Sequence, residues 1–201
     1  MCPQDSMSQT VTDIVLPQPQ KDGGKPLMDC MAERKSNREY ASKEISNQEL
    51  SNLLWAANGI NREKDGKNTA PTANNRQNME VYVVLPGGVY FYDSKGNILK
   101  FIKSGNYMTN TGKQDFVEKA SVNLIIVSDM GKLGDATPDN QLLYAGIHSG
   151  AIMQNIYLYC ASRGLNTVTR RYFDEKEVTE VLGLPAGKRP ILAQSVGYPV
   201  E

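Results

Sequence analysis

The longest periodic segment of the chain constrains its fold most. Apolar residues recur every three or four positions from about Asp139 to Arg163, which predicts one long helix that begins after Pro138 and ends at Gly164. These positions are too widely spread around the helix for one narrow stripe. We therefore expect the helix to be buried, either in a core or across a subunit interface.

Shorter apolar runs predict the strands of a sheet. A continuous run at 122–127 is typical of a central strand that is covered on both faces. Runs at 81–84, 89–92 and 98–102 are separated by turn residues and predict an antiparallel meander. A closing strand is predicted at 191–196. Adjacent meander strands mixed with helices favour an α+β domain.

Capping residues and helix-ending residues predict the remaining helices. Ser46 followed by Glu49 is a capping box, and it opens an amphipathic helix that Gly59 ends. Further helices are predicted at 113–119 and at 174–182. Residues 1–24 offer too little apolar surface to offset their ordering entropy, so we expect a flexible N-terminal tail before a domain of residues 25–201.

Composition excludes several classes of protein. The 201 residues include 22 acidic and 22 basic side chains, and this zero net charge provides no field that would recruit nucleic acid. No apolar run approaches the ~20 residues that span a bilayer. The three cysteines lack metal-ligand spacing, so no metal site is predicted.

The N-terminus bears on localisation. It lacks the charged start and the apolar core of a signal peptide, which predicts a cytoplasmic protein. Cys2, followed by a polar tail, keeps an alternative open. An exported or lipid-anchored protein would present such a start if an upstream signal had been removed.

The basic stretch at 34–40 is the first candidate for a ligand site. Arg34, Ser36 and Arg38 alternate, so an extended backbone would place all three side chains on one side. Two guanidiniums and a hydroxyl could grip a phosphate, because arginine presents a planar fork of donors and keeps its charge. The alternative is structural, since basic residues at a helix C-terminus complement the helix dipole.

The polar loop at 70–78 is the second candidate. It has no hydrophobic period, and it leads directly into the strand predicted at 81–84. Its Asn and Gln side chains both donate and accept hydrogen bonds, which suits the edge of a heteroaromatic ring. For Asn74 we favour the simpler interpretation that asparagine tolerates turn dihedrals.

The ordered set of segments resembles the nitroreductase family of FMN-dependent oxidoreductases. The set comprises RxSxR, an apolar helix, AP(S/T)xxNxQ before a strand, a long helix ending in GL, and LGLPxGxxPxxxxxxGYP. The nearest branch contains the peptide thiazoline and oxazoline dehydrogenases, which have near counterparts of LLWAANGINR and APTANNRQ. The resemblance implies a central, mostly antiparallel sheet flanked by helices, in a homodimer with FMN at the interface.

The resemblance also implies roles for the residues of the basic stretch. Arg34 and Ser36 match residues that hold the FMN phosphate and ribityl chain, and Lys35 is included with them as a cofactor-binding residue. Arg38 matches a residue near the flavin pyrimidine. A cation there would stabilise the negative charge of the reduced flavin.

Five further cofactor-binding residues follow from the resemblance. Asn75 and Gln77 match the NxQ of the family, whose Asn reaches pyrimidine or ribityl atoms. Thr169, Arg170 and Arg171 fall in the family loop whose backbone N–H groups point at flavin N5 and O4. Here the chain lacks the usual Pro, acidic residue and Gly. Either arginine could grip the phosphate or form a structural salt bridge.

A flavin enzyme of this kind needs no catalytic side chain. Hydride moves to and from flavin N5, while the protein supplies orientation and electrostatics. The expected reaction transfers hydride between NAD(P)H and an electron-poor small organic molecule. The alternatives are an FMN-dependent dehydrogenase of an organic or azoline substrate, and a flavin-binding electron carrier without turnover. No GxGxxG fingerprint is present, so NAD(P)H would bind only transiently.

The single histidine, His148, is a weak candidate for a hydrolytic base. Its neighbour Ser149 would point to a different face of the predicted helix, so the two cannot form a nucleophile–base hydrogen bond. We expect a hydrogen-bonded histidine near the cofactor or the dimer interface, with proton donation as the alternative.

Overall fold

Nine strands and four α-helices make up the part of the chain that the computed structural model describes, residues 12–200. The strands, in chain order, are β1 (Ile14–Val15), β2 (Ile60–Arg62), β3 (Lys67–Asn68), β4 (Met79–Leu85), β5 (Gly88–Asp93), β6 (Ile98–Ser104), β7 (Val122–Asp129), β8 (Asn166–Arg170) and β9 (Lys188–Gly197). The helices are α1 (Leu27–Glu33), α2 (Asn47–Asn58), α3 (Pro138–Arg163) and α4 (Glu175–Leu182).

Seven of these strands form one antiparallel sheet. Their order is β1-β6-β5-β4-β7-β9-β8, and β2 pairs with β3 in a separate hairpin. The consecutive strands β4, β5 and β6 lie side by side, as the meander prediction requires. Strand β7 lies between β4 and β9 with seven of its eight residues buried. The predicted central strand at 122–127 is therefore confirmed.

The sheet is covered on both faces because its central strands are apolar on both faces. Leu124 and Ile126 of β7 belong to a core shared with α2 and α3. Ile125 and Val127 belong to a second core, shared with α4 on the opposite face. This arrangement confirms the predicted α+β fold with a central antiparallel sheet flanked by helices.

The predicted ends of α2 and α3 are confirmed. Ser46 Oγ accepts a hydrogen bond from the Glu49 N–H at 3.1 Å, which caps α2. Helix α3 begins with Pro138 and ends at Gly164, whose φ of 70° is in the left-handed region that glycine adopts without strain. The long periodic segment is therefore one helix of 26 residues.

Two segments differ from their predictions. The helix predicted at 113–119 is reduced to the 3-10 turn Val117–Lys119. Val117 is buried there, and the chain enters β7 three residues after this turn ends. The segment predicted as a flavin-facing loop instead contains β8, an edge strand that pairs with β9. Its alternating Thr and Val residues suit a pleated, half-buried surface.

The N-terminal segment also differs from its prediction within residues 12–24. Strand β1 pairs with β6, and Leu16 is buried in the core. Asn97 Nδ2 donates to the carbonyl of Pro17 at 2.7 Å, and Ser51 Oγ donates to the same carbonyl at 2.6 Å. Side chains far along the sequence supply these bonds, so composition did not reveal them.

The remaining part of the predicted tail, residues 1–11 with Cys2, lies outside the described residues. Among the helices of residues 12–200, none combines the length and the apolar character needed to cross a bilayer.

Candidate functional site

Arg34 and Ser36 converge on Tyr157, a residue in the C-terminal half of α3. The Arg34 guanidinium carbon lies 5.0 Å from the centre of the Tyr157 ring. Ser36 Oγ lies 2.7 Å from Tyr157 Oη, which also accepts a hydrogen bond from the Thr169 N–H at 3.0 Å. We call Arg34, Ser36, Tyr157 and Thr169 the Tyr157 cluster. Three of the predicted cofactor-binding residues thus lie together.

The backbone explains why this stretch presents its side chains outward. Helix α1 ends at Glu33, and the following residues of the basic stretch are not helical. The Asn37 N–H donates to the Thr167 carbonyl at 2.9 Å, which ties the stretch to the edge strand β8. Arg38 lies farther along, with its guanidinium carbon 6.0 Å from the centre of the Phe116 ring.

Among the described residues, the cations of the basic stretch have no acidic partner. Within residues 12–200, no carboxylate lies within 4.0 Å of the side-chain nitrogens of Arg34, Lys35 or Arg38. Lys35 and Arg38 are exposed, and Arg34 is half-buried. Unpaired cations beside a hydroxyl form a suitable site for an anion, because each retains its donors for a ligand.

Arg170 is bound within the protein. It is 5% exposed, and its guanidinium donates to Ser195 Oγ at 3.1 Å and to Asn123 Oδ1 at 2.9 Å. It also donates to the carbonyl and the hydroxyl of Thr111. Burial lowers the pKa of Arg170 to about 10, so the group remains charged at neutral pH. The structure does not bring this guanidinium to the Tyr157 cluster.

The two residues beside Arg170 are also engaged. Arg171 donates to Glu175 Oε2 at 2.8 Å, and its guanidinium carbon lies 4.6 Å from the centre of the Phe173 ring. These contacts match the structural alternative for Arg171. The Thr169 N–H is bonded to Tyr157, so it is not free to donate to a ligand in this arrangement.

Asn75 and Gln77 lie together on the polar loop that precedes β4. Gln77 Nε2 donates to the Gly66 carbonyl at 2.8 Å and lies 3.3 Å from Asn75 Oδ1. Asn75 is exposed and available to a ligand, whereas Gln77 connects the loop to the β2–β3 hairpin. Asn74 has a φ of 53°, in line with its predicted tolerance of turn dihedrals.

This polar loop is attached to α3 by His148. The Ala73 N–H donates to His148 Nε2 at 2.8 Å, and His148 Nδ1 lies 2.7 Å from Asn78 Oδ1. Burial, together with the positive charge of Arg76, lowers the pKa of His148 below its ordinary value. The residue is thus the hydrogen-bonded histidine that the sequence indicated, and both of its ring nitrogens are occupied.

The Tyr157 cluster and the His148-attached loop lie on opposite flanks of α3. Their anchoring residues are nine positions apart in the sequence. At 1.5 Å and 100° per residue this separation amounts to about 14 Å along the helix and about half a turn around it. One chain therefore does not close a single pocket around all of the predicted cofactor-binding residues.

A separate cavity of about 880 Å³ lies elsewhere on the surface. Tyr40, Lys43, Pro86 and Ser121 are among its lining residues, and none of the nine predicted cofactor-binding residues lines it.

Sequence reasoning did not identify Tyr157 or Asn78 as organising residues. Tyr157 is one of ten tyrosines, and its apolar surroundings resemble those of any core aromatic. Asn78 has no distinguishing sequence signal. Both act through partners that are distant in sequence, which a local pattern does not reveal.

Comparison with known proteins identifies the family of the chain. The family model described as the nitroreductase family matches residues 31–198. A protein of Methanocaldococcus jannaschii is 31% identical over 185 residues, which cover 87% of this chain and 92% of the relative. A crystal structure from Ralstonia eutropha JMP134 has a TM-score of 0.90 at 34% identity, covering 100% of this chain and 96% of its own. Both carry the name putative nitroreductase.

A more distant structure shares the fold. An NAD(P)H:FMN oxidoreductase from Staphylococcus epidermidis, also named as putative, has a TM-score of 0.67 at 15% identity and covers 91% of this chain and 92% of its own. The family match spans most of the chain, including the basic stretch, the polar loop and the final strand. On these grounds the resemblance seen in the sequence is confirmed, and the chain belongs to the nitroreductase family of oxidoreductases.

Proposed function

We propose that the protein is an FMN-dependent oxidoreductase that transfers hydride between NAD(P)H and an electron-poor organic acceptor. The observation that carries this proposal is the group of unpaired cations in the basic stretch. Arg34, Lys35 and Arg38 lie within five residues of one another and have no carboxylate partner among residues 12–200.

The donor set fits a flavin phosphate. Arg34 and Lys35 would balance the charge of a phosphate, and Ser36 would add a neutral donor. Because Tyr157 Oη accepts from the Thr169 N–H, the Tyr157 hydroxyl can donate to Ser36 Oγ. That direction leaves the hydroxyl hydrogen of Ser36 available to a ligand.

Arg38 and the polar loop would complete the binding of the cofactor. Arg38 is an exposed, permanently charged donor, which suits a position where a ring system gains electrons. Asn75 is exposed and offers both a donor and an acceptor to a ring edge. When bound, FMN supplies the two-electron chemistry, so the chain needs to provide orientation and charge rather than an acid or a base.

We also propose a homodimer, because it would unite the two flanks of α3. The Tyr157 cluster of one copy would then face the Asn75 loop of the other copy. The outer face of α3 supports this arrangement, since Leu143 and Ile147 are 59% and 57% exposed. Gly146 lies between these two residues in the sequence, and Gly150 follows them. A Cβ atom added at either glycine would meet no neighbouring atom within 4 Å, so the space beside the helix is open and a second helix could approach closely.

Light scattering tests the dimer directly. We expect the native protein to have twice the mass of the chain, and Ile147→Glu to shift it toward the monomer while weakening FMN binding. A native protein that binds FMN as a monomer would remove the dimer from the proposal. Ser104→Glu, at the exposed end of β6, provides a control for an added charge.

Reconstitution with FMN tests the function. The protein is loaded with FMN, passed through gel filtration, and treated with NADH or NADPH without oxygen while its visible spectrum is recorded. We expect about one FMN per chain to be retained and its absorbance to bleach. Retained flavin that does not bleach would favour the dehydrogenase or carrier alternatives. No retained flavin would overturn the proposal.

We propose a cytoplasmic location, because NAD(P)H is the expected electron donor. The exported or lipid-anchored form is the alternative. Mass spectrometry of the native protein tests both, because lipid on Cys2 would contradict a cytoplasmic location.

A further inference from the structure

One imidazole joins the loop that carries Asn75 to helix α3. The Ala73 N–H and the Asn78 side chain, which bind His148 at 2.8 Å and 2.7 Å, bracket Asn75 in the sequence. His148 itself is 3% exposed in the body of α3. The position of the loop is therefore tied to a rigid helix at one titratable side chain.

The hydrogen bonds fix both the tautomer and the charge of the ring. A backbone N–H can only donate, so His148 Nε2 must be the acceptor and carry no hydrogen. The ring hydrogen is then on Nδ1 and is donated to Asn78 Oδ1. Asn78 Nδ2 donates to Ser128 Oγ at 2.8 Å, which orients the amide for this role.

We propose that His148 is a positioning residue for the cofactor, which holds the 73–78 loop in its docked conformation only while the imidazole is neutral. This inference rests on the proposed function, in which Asn75 of the loop faces FMN. A second proton on Nε2 would point at the Ala73 N–H and abolish that bond. His148 would thus make flavin affinity depend on pH without taking part in hydride transfer.

The charges around the ring do not compensate for a second proton. Arg76 lies on the loop itself and disfavours the protonated ring. Lys132, on the adjacent 3-10 turn, donates to a loop carbonyl, and Asp129 caps that turn through the Gly131 N–H. The titratable neighbour on α3 is Tyr144, whose ring centre lies 5.9 Å from that of His148.

The sign of the pH effect follows from the lowered pKa. A histidine whose pKa is below its ordinary 6.5 in the docked state favours that state while it is neutral. The docked loop is therefore fully favoured above about pH 6.5, and this preference declines as the pH falls below that value.

Two variants separate the effect of the His148 hydrogen bonds from the effect of its titration. In His148→Gln, the side-chain oxygen can accept from the Ala73 N–H but does not titrate. In His148→Phe, a ring remains and both hydrogen bonds are lost. We expect His148→Phe to bind FMN about tenfold more weakly at every pH, and His148→Gln to bind nearly as well as the native protein at pH 8.

The pH dependence of the FMN dissociation constant is the first readout. The phosphate of FMN itself titrates near pH 6, which gives all variants a common background. Between pH 8 and pH 5.5 we expect the native protein to lose severalfold more affinity than His148→Gln. Equal losses in the two proteins would overturn the inference.

A second readout needs no flavin. His148 is the only histidine of the chain, so in tag-free protein labelled with 15N its imidazole gives one pair of ring signals. We expect the Nδ1–H tautomer, a midpoint below 6.5, and loss of hydrogen-exchange protection at the Ala73 amide as the ring titrates. The opposite tautomer, or unchanged protection, would contradict the inference even if FMN failed to bind, whereas failure of FMN binding alone would defeat the proposed function.

Discussion

Two arginine-rich segments of the chain use the same side chain in opposite ways. In the basic stretch, Arg34 and Arg38 lie over aromatic rings, and neither forms an ion pair with a carboxylate among the described residues. In and after β8, Arg170 and Arg171 give their donors to protein acceptors. An arginine that has no acceptor in the protein keeps its donors available for a ligand, whereas one that has such acceptors supports the fold.

The acceptors that occupy Arg170 come from three other parts of the chain. Thr111, Asn123 and Ser195 are separated from it by 59, 47 and 25 positions. Within residues 12–200, the cations of the basic stretch have no such acceptors, and a backbone hydrogen bond joins this stretch to the edge strand β8. In the proposed function, ligand binding and internal support would thus be divided between neighbouring segments, and substitutions can test that division.

Arg170→Met should have the largest effect, and the effect should be on stability. The change leaves the buried acceptors of Thr111, Asn123 and Ser195 without their charged donor, at a cost of roughly 3 kcal/mol or more in the free energy of unfolding. Urea unfolding monitored by circular dichroism measures it. If the variant kept native stability but failed to bind FMN, Arg170 would be a ligand-binding residue rather than a structural one.

Arg38→Ala should weaken FMN binding and leave unfolding unchanged. Hydrogen bonds to charged groups contribute about 1.5–3 kcal/mol, so we expect the dissociation constant to rise roughly tenfold to a hundredfold. The flavin potential should fall, because a cation that stabilises the reduced form has been removed. Lys64→Ala, at an exposed cation outside the basic stretch, is the control. Native affinity and potential in Arg38→Ala would show that this arginine does not contact the flavin.

Tyr157→Phe should produce an intermediate effect on both properties. The ring beneath Arg34 remains, but Ser36 and the Thr169 N–H lose their shared hydroxyl partner. We expect a loss of about 1 kcal/mol in unfolding free energy and a few-fold weaker binding of FMN. Thermal unfolding and fluorescence titration measure the two effects. Full native affinity would separate the Tyr157 cluster from the cofactor.

Arg171→Met should have the smallest effect. Its ion pair with Glu175 involves side chains that are 47% and 35% exposed, and pairs of this kind contribute about 0–1 kcal/mol. We expect FMN affinity within twofold of the native value and little change in the urea midpoint. A large loss of affinity would assign Arg171 to the phosphate and remove the contrast between the two segments.

Signals carried by adjacent residues made much of the fold predictable. The Ser46–Glu49 capping box and the Pro138 and Gly164 ends of α3 work through the backbone of their own helix. The run at 122–127 predicted a central strand because burial on both faces requires continuous apolar residues. The pairing of β1 with β6 and the pairing of β8 with β9 were not predicted, since short edge strands depend on partners elsewhere in the chain.

The site was predictable only in part, for the same reason. The alternation of Arg34, Ser36 and Arg38 predicted side chains on a common side. Arg34 and Ser36 both reach Tyr157, whereas Arg38 lies over the ring of Phe116. Arg170 is bound by acceptors that are 59, 47 and 25 positions away, at Thr111, Asn123 and Ser195. Gln77 is bound by the Gly66 carbonyl, 11 positions away. Family resemblance transfers a residue's position, whereas its free or occupied state follows from the packing of this particular chain.

The placement of the Tyr157 cluster and the Asn75 loop on opposite flanks of α3 has a consequence for how the protein responds to dilution. In the proposed dimer each cofactor would be held by two chains, so a lone chain would offer only half of the contacts. The fraction of chains with bound flavin would then fall as the protein is diluted, even in excess FMN. Added FMN would in turn oppose dissociation of the subunits. Storage as a dilute apoprotein would be the condition under which the molecule is least robust.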